Sequence, residues 1–350
     1  MSQKPLKILH IANFKTQNNG TMFYNTDAKI QSGLIELGHY VHAFDYKYMV
    51  RKSNIFNTTS LSHKKTHQQL LELCENIHFD LILLGHIHLP LAILKQLKQV
   101  YSSKVAMWFV DPINETHRLD HFKEMHSAVD HIFVTTAGPH LQNLSELCDH
   151  PVFAFTPNLS LASIEHAREN WSEYKYDLIF CGSNNKYQER EQFISHLTEE
   201  LSHFKFKLGA CLGQPSLFGH EYQTAVRNSL MGINYSKYND IYMYSSDRLA
   251  QLTGMGCLVF TAKTPGMNEL FPENSLIYFK DTNDLLDKLR YYQQHPEHAV
   301  EIAQRGYTLA HSTFEAKNIL QQWLNLIYQQ TLSSPWQTEI YVKGQRFIHD

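Results

Sequence analysis

Residues 244–281 read YSSDRLAQLTGMGCLVFTAKTPGMNELFPENSLIYFKD, and this stretch decides the fold class. Apolar residues at helical spacing predict a helix over residues 247–255, capped by a serine at its start and ended by glycines. The apolar runs 257–261 and 276–279 predict two short strands, with the loop 263–268 after the first of them. This order of helix, strand, loop and strand is typical of an open α/β domain, where ligands bind outside the carboxyl ends of parallel strands. The loop is therefore a candidate ligand-binding loop.

The same alternation of strands and helices runs through most of the chain. Buried strands are predicted over residues 7–12, 40–44, 79–84, 104–111, 130–136, 153–158, 176–181, 204–209 and 231–235. At 350 residues the chain is long enough for two domains, each with its own core. A polar linker around residues 160–174 predicts the boundary. The resulting domains are residues 1–160 and 175–312, followed by a helix and an unassigned tail over residues 313–350.

Composition excludes several classes of function. A net charge of −3 gives no basis for nucleic-acid binding, and the basic pair Lys64-Lys65 is interpreted as a solvated surface. No apolar run has the length of a membrane span, and the N-terminus lacks the pattern of a signal peptide. Five scattered cysteines without close pairs favour a reducing compartment, so the cytoplasm is the expected location. No metal-binding motif is recognised: the pair His86 and His88 is more typical of a packed or substrate-facing position.

The stretch quoted above also carries a spaced set of functional residue types: Arg248, Gln251, Gly256, Pro265, Gly266 and Glu269. This set resembles the C-terminal, donor-binding half of retaining glycosyltransferases of the GT-B fold. The similarity is greatest to spore-maturation CgeB-like glycosyltransferases, which have an arginine three residues before the glutamate of the family pattern. Gln251 stands where that family has the glutamate. The resemblance implies two Rossmann-like domains facing each other across a cleft, with a C-terminal helix that crosses back to the first domain.

The resemblance also implies a set of donor-binding residues. In the family, a sequence motif made of a strand, a Gly-Ser pair and a following arginine helps to hold the donor diphosphate. This chain matches that motif with the strand ending at Gly182, the following Ser183, and Arg190 in the next helix. Physically, backbone N–H groups at a helix start and an arginine suit a phosphate. The full set of donor-binding candidates is Gly20, Gly182, Ser183, Arg190, Arg248, Gln251, Thr264, Pro265, Gly266, Met267 and Asn268. The catalytic candidates, which would face the sugar or acceptor, are His86, His88, Asp111 and Glu269.

Each candidate also has a plain structural interpretation. Gly20 suits a tight turn, Asp111 precedes a proline as an ordinary turn former, and Glu269 suits the start of a short helix. Arg190 and Arg248 are each close in sequence to acids with which they could form surface ion pairs.

The implied activity is transfer of a sugar from a nucleotide-diphosphate donor to a glycan, lipid-linked or protein acceptor. No cofactor or metal is expected, and a lipid-linked acceptor would bring peripheral contact with a membrane. Gln251 is neutral where the family has an acid, and the family's upstream acid is replaced by Met243. These departures leave open a catalytically inactive relative that acts as a binding or assembly subunit. A nucleotide-sugar epimerase of the same fold is a third alternative.

Overall fold

The chain folds into two compact units. The computed structural model describes residues 4–54, 59–101, 103–111, 113–114, 116–182, 188–236, 238–330, 332 and 338–347. One unit contains Met1–Pro157 together with Ala316–Asp350, and the other contains Asn158–Glu315. Among the described residues, no helix combines the length and the apolar character that a membrane crossing requires.

The first unit begins with six parallel strands. They are β1 (Lys7–Ala12), β2 (Tyr40–Asp45), β3 (Leu81–Leu84), β4 (Lys104–Phe109), β5 (His131–Val134) and β6 (Val152–Phe155). The helices between them are α1 (Thr26–Glu36), α2 (Tyr46–Lys52), α3 (Thr59–Asn76), α4 (Leu91–Tyr101), α5 (Thr116–Met125) and α6 (Gly138–Glu146). The strands match those that the sequence predicts. Helices α2 and α5 and the first half of α3 are not predicted.

The second unit has a five-stranded parallel sheet. Its strands are β7 (Tyr176–Cys181), β8 (Phe206–Gly209), β9 (Ser229–Asn234), β10 (Leu258–Ala262) and β11 (Ile277–Phe279). Its helices are α7 (Gln188–Glu200), α8 (Gly219–Arg227), α9 (Asp247–Gly254), α10 (Met267–Leu270), α11 (Thr282–Gln294) and α12 (Pro296–Ser312). The strand order β11-β10-β9-β7-β8 places β8 on one side of β7 and β9 on the other. The strand order therefore reverses between β7 and β9, the position where open α/β sheets bind ligands.

The end of the chain returns to the first unit. Helix α13 (Ala316–Ile327) packs against α1, with Leu320 and Ala316 close to Gly33. The strands β12 (Ile340–Val342) and β13 (Gln345–Arg346) then extend the first sheet, with β12 antiparallel to β6. The completed order is β13-β12-β6-β5-β4-β3-β1-β2. The predicted return of the final helix to the first domain is confirmed.

Residues 158–174 belong to the second unit, although the sequence suggests a polar linker there. The side chains of Ser160 and Glu165 are buried, and Leu161 donates its N–H to the Glu165 carboxylate at 3.1 Å. Arg168 donates from Nη1 to the backbone carbonyls of Arg227 and Ser229 at 3.2 and 3.0 Å. Several polar residues of this segment, among them Ser160, Glu165 and Arg168, are thus buried and hydrogen-bonded inside the unit, so its polarity does not mark a solvated linker.

The segments before β7 and after α12 are joined around Glu315. Ser160 donates its N–H to the carbonyl of Phe314 at 2.8 Å, and Ala162 donates to Oε1 of Glu315 at 2.9 Å. The second carboxylate oxygen, Oε2, lies 2.8 Å from Nδ1 of His311. Glu315 is therefore a buried acid held by one backbone N–H and one imidazole.

Candidate functional site

Helix α9 starts at the carboxyl edge of the second sheet. The Ser246 hydroxyl caps this helix by accepting the N–H of Leu249 at 3.3 Å, as the sequence predicts. The same hydroxyl donates to Oδ1 of Asn234, the last residue of β9, at 2.8 Å. Asn234 in turn donates to the hydroxyl of Thr261 in β10 at 3.0 Å. The start of the helix is thereby fixed against the ends of two neighbouring strands.

Arg248, in the first turn of α9, spans the point where the strand order reverses. Its Nε donates to the carbonyl of Cys181 at the end of β7 at 2.9 Å, and its Nη1 donates to the carbonyl of Tyr235 after β9 at 3.1 Å. The guanidinium carbon lies 5.1 Å from the centre of the Phe180 ring, a cation–π distance. Burial lowers the pKa of Arg248 below its ordinary value. Both of these hydrogen bonds go to backbone carbonyls, which hold the guanidinium at the carboxyl edge of the sheet.

The lack of a side chain at Gly182 leaves room for the guanidinium of Arg248. A Cβ at residue 182 would stand 2.7 Å from Nη2 of Arg248 and 3.2 Å from Cζ of Phe180. Any larger residue would displace the guanidinium. Arg190 follows in the first turn of α7, and its side chain is buried, so the predicted surface pairing does not describe it. Ser183 lies outside the described residues.

Gln251 is held by two neighbours through its side-chain amide. Its Nε2 donates to Oδ2 of Asp247 at 2.6 Å, and its Oε1 accepts the hydroxyl of Tyr222 at 2.7 Å. Gln251 is only 6% exposed. A glutamate in its place would put two carboxylates in contact, because Asp247 lies one turn earlier on the same helix face. The structure therefore provides a local reason for a neutral residue at this position.

The loop after β10 is compact. Gly266 has φ +74°, and a Cβ there would stand 2.5 Å from the Tyr242 ring. The carbonyl of Pro265 accepts the N–H of Met243 at 2.8 Å, and the hydroxyl of Tyr242 donates to Oε1 of Glu269 at 3.0 Å.

Four predicted residues of this loop differ in their burial. Thr264 and Met267 are buried, and Pro265 and Asn268 are exposed together with Glu269. Only the exposed members can offer their side chains to a ligand, so Thr264 and Met267 contribute by shaping the loop. Glu269 does stand in the first turn of the four-residue helix α10, as the plain interpretation predicts.

In the first unit, the structure brings His86 and Asp111 together. His86 follows β3 and Asp111 follows β4, and Nε2 of the histidine lies 3.5 Å from Oδ2 of the aspartate. The neighbouring His88 has a different partner, with its Nε2 2.7 Å from Oε2 of Glu124 in α5. Gly20 lies in an exposed loop after β1, where a Cβ would meet no atom within 4 Å. The sequence suggests that the two histidines act as one pair, but in the structure each contacts an acid of its own.

A buried polar cluster nearby is missed by the sequence analysis. Asp27 in α1 accepts the indole N–H of Trp108 at 2.8 Å, and its Oδ1 lies 3.2 Å from Nε2 of His10. A Cβ at Gly85 would stand 2.5 Å from the same oxygen. These residues come from β1, α1, β4 and the position directly after β3, and no motif joins them in the sequence. The available signals were the polar residue His10 inside an apolar strand and an acid at the first turn of a helix.

Metal binding has no obvious site in the described part of the chain. Within it, no group of three or more histidine, cysteine, aspartate or glutamate side chains is arranged to hold a metal ion. The predicted candidates thus form two groups. One is centred on Arg248 and Gly182 in the second unit, and the other on His86 and Asp111 in the first.

Comparison with protein families supports the C-terminal part of this interpretation. A family model described as glycosyl transferase-like matches residues 188–325. The search of curated proteins found no match to this sequence. The matched residues begin with α7 and end within α13, so they include Arg190, Arg248, Gln251 and Glu269.

Solved structures extend the likeness to most of the chain. A sucrose-phosphate synthase from Thermosynechococcus elongatus is 12% identical with a TM-score of 0.60, covering 93% of this chain and 98% of the other. The Anabaena protein HepE, solved in complex with UDP and glucose, is 11% identical with a TM-score of 0.58, covering 93% and 100%. A glycosyltransferase from Rickettsia africae is 12% identical with a TM-score of 0.55, covering 93% and 99%. At this identity the likeness concerns the fold, and this chain has the α/β fold of GT-B glycosyltransferases with two Rossmann-like sheets.

Proposed function

We propose that this protein is a glycosyltransferase that uses a nucleotide-diphosphate sugar as its donor. The observation that carries the proposal is the position of Arg248, held by two carbonyls at the reversal point of the second sheet and facing Gly182. A guanidinium fixed in this way is ready to bind phosphate oxygens without first being ordered. The match of residues 188–325, which include Arg248, to a glycosyl transferase-like family model supports the assignment.

In the proposed reaction, the second unit binds the donor. The leaving diphosphate develops negative charge as the bond to the sugar breaks, and a preorganised cation stabilises that charge. Arg248 and Arg190 would supply it, with the starts of α7 and α9 as further positive ends. Exposed Glu269 and Asn268 would contact the sugar. We further propose that transfer retains the anomeric configuration and needs no metal, as the CgeB-like resemblance implies.

The first unit would receive the acceptor. His86 and Asp111 form a histidine–carboxylate contact at strand ends, an arrangement able to accept or hold a proton. The acceptor class comprises glycans, lipid-linked sugars and proteins, and the expected location is cytoplasmic with peripheral contact at the membrane. UDP-glucose is the first donor to test, because HepE was solved with UDP-glucose.

A glutamine at position 251 does not by itself favour an inactive protein. Its contacts with Asp247 and Tyr222 give it a structural role that a glutamate would not fulfil. The inactive binding subunit and the epimerase remain distinguishable by experiment, since the first gives no product and the second gives an altered nucleotide sugar.

The test is a thermal-shift panel of nucleotide diphosphates and their sugars on the full chain. A ligand at a hundred times its dissociation constant adds about 2.7 kcal/mol of stability. We expect a shift with one nucleotide, lost in Arg248→Ala and strongly weakened in Gly182→Ala, where the arginine is present but displaced. Arg305→Ala removes an exposed arginine of the same unit and serves as the control, with the shift retained. A protein that no nucleotide diphosphate stabilises would refute the proposal. Product analysis with the binding donor then distinguishes transfer from epimerisation.

A further inference from the structure

An acid-free stretch of the first unit carries a concentration of positive charge. Residues 46–71 contain no aspartate or glutamate, although acids outnumber lysines and arginines in the whole chain by 34 to 31. The cationic and histidine side chains of this stretch are Lys47, Arg51, Lys52, His63, Lys64, Lys65 and His67. Residues 46–52 of this stretch form α2, and residues 59–71 form the first part of α3. The positive charge of this stretch therefore comes from α2 and the first half of α3, and the acids of α3, Glu72 and Glu75, follow only in its last turns.

A cavity of about 500 Å³ opens beside these helices. Its polar lining includes Lys47 and Arg51 from α2, His63 from α3, and His86 and His88 from the loop after β3. Lys47 and Arg51 are four residues apart and so share a face of α2. Among the residues that the structure describes, the lining contains no acid. The cavity lies at the carboxyl end of β3, on the side of the sheet where α/β folds bind ligands.

The histidine of α3 is oriented by a buried tyrosine. The hydroxyl of Tyr46 lies 3.0 Å from Nδ1 of His63 and 2.8 Å from Nε2 of His67. Burial raises the pKa of Tyr46 to about 12, so the hydroxyl stays protonated and bonds both rings. Because Nδ1 of His63 is used in this contact, Nε2 is the ring nitrogen that a ligand in the cavity can reach.

The donor and acceptor balance of the lining indicates the chemistry of the ligand. The ammonium of Lys47 and the guanidinium of Arg51 can only donate, whereas the hydroxyls of a neutral sugar also need acceptors. Two acids contact lining residues without belonging to the lining: Asp111 contacts His86, and Glu124 contacts His88. A group with several negative oxygens and no hydrogen of its own to donate satisfies such a set.

From this arrangement we infer that the cavity binds a phosphate mono- or diester group carried by the acceptor. That the phosphate belongs to the acceptor rests on the proposed glycosyltransferase function. Phosphate binding itself is measured independently of sugar transfer. The phosphate would lie between Lys47 and Arg51, with His63 as a third donor. The sugar or alcohol to which it is attached would then extend toward His86 and Asp111.

The test is a titration of the full chain with glycerol 3-phosphate, with and without saturating amounts of the best-binding nucleotide diphosphate. The nucleotide fills the phosphate site of the second unit. Glycerol is the neutral control ligand. Vesicles of phosphatidylglycerol, compared with phosphatidylcholine vesicles, present the same phosphate chemistry as a lipid headgroup. The variants are Lys47→Ala and Arg51→Ala, with Lys52→Ala as the matched control, since Lys52 is on the same helix but outside the lining.

We expect glycerol 3-phosphate to bind in the presence of the nucleotide, and each lining variant to weaken it about tenfold. Lys52→Ala should bind as the unmodified protein does. Binding only to phosphatidylglycerol vesicles with the same dependence on Lys47 and Arg51 would support the inference and identify a lipid source. Absence of both kinds of binding would overturn it, as would an equal loss in Lys52→Ala, which would show a general effect of charge. A failed nucleotide panel refutes the proposed function, whereas a failed phosphate titration refutes only this inference.

Discussion

His311 should make the stability of the second unit depend on pH. Both of its ring nitrogens face acceptors: Nδ1 lies 2.8 Å from Oε2 of Glu315, and Nε2 lies 2.9 Å from the carbonyl of Gly254. A neutral imidazole donates from only one nitrogen, so both contacts are satisfied only by the imidazolium. Burial alone lowers the pKa of His311, but its bonds to Glu315 and Gly254 and the charges of Glu315 and Glu165 outweigh burial and raise the pKa above the ordinary 6.5.

The sign of the effect follows from the raised pKa. The folded unit binds the proton more tightly than the unfolded chain, so the added stability is complete below the ordinary histidine pKa. It is lost as the pH rises through the raised pKa of the folded state. In His311→Gln the charge is removed and a neutral donor remains. A hydrogen bond to a charged group contributes about 1.5–3 kcal/mol against about 1 for a neutral one, so the variant should lose about 2 kcal/mol at pH 6 and less than about 1 at pH 9.

The assay is thermal unfolding of the full chain at pH 6 and pH 9. For a domain of this size about 2 kcal/mol corresponds to about 4–8 °C in Tm. Trp171 reports on the region, because its ring centre lies 5.6 Å from that of Tyr307, which lies 4.5 Å from the His311 ring. The control is His298→Gln, an exposed histidine on the same helix. A difference in Tm between the protein and His311→Gln that is equal at both pH values would refute the imidazolium assignment.

Two further predictions concern side chains that the structure buries. Gln251→Glu should lower Tm, more at pH 8 than at pH 5, because the new carboxylate would face Asp247, where Gln251 now donates at 2.6 Å, and a shared proton relieves the repulsion only in acid. An unchanged Tm at both pH values would show that Asp247 does not select the glutamine. Burial raises the pKa of the cysteine thiols to about 11 for Cys74, Cys148 and Cys211 and to about 12 for Cys181 and Cys257. At pH 8 the native protein should therefore react slowly with a thiol reagent such as DTNB and release all five thiols only when unfolded, whereas a fast-reacting thiol in the native state would contradict this.

Elements with an apolar core face could be predicted from the sequence. The strands around Phe180 and Phe260 and helix α9 follow directly from apolar spacing, and the serine cap at residue 246 sets the start of the helix. Helix α2 escaped prediction because only Tyr46 in it is buried, so it has no apolar periodicity to recognise. Its start depends on the Asp45 side chain, which accepts the N–H of Tyr48 at 3.2 Å.

The site was predictable as a set of residue types but not as a geometry. The sequence indicates that Arg248 is a candidate for phosphate binding, but the two carbonyls that hold it come from residues 67 and 13 positions away. Such carbonyls carry no side-chain signal. His86 and His88 are two positions apart in sequence, but the acids that they contact, Asp111 and Glu124, lie on different elements. The sequence alone therefore could not assign a separate acid to each histidine.

The discontinuity of the first unit has a consequence for biosynthesis. Its sheet is finished by β12 and β13, and α1 is covered by α13, yet all three follow the complete second unit in the chain. Residues 158–315 are contiguous and can fold as soon as they emerge from the ribosome. The earlier part of the chain has the edge of β6 unpaired until β12 has been synthesised, which leaves that edge open to non-native pairing. The order in which the two units mature is thus the reverse of the order in which their synthesis begins.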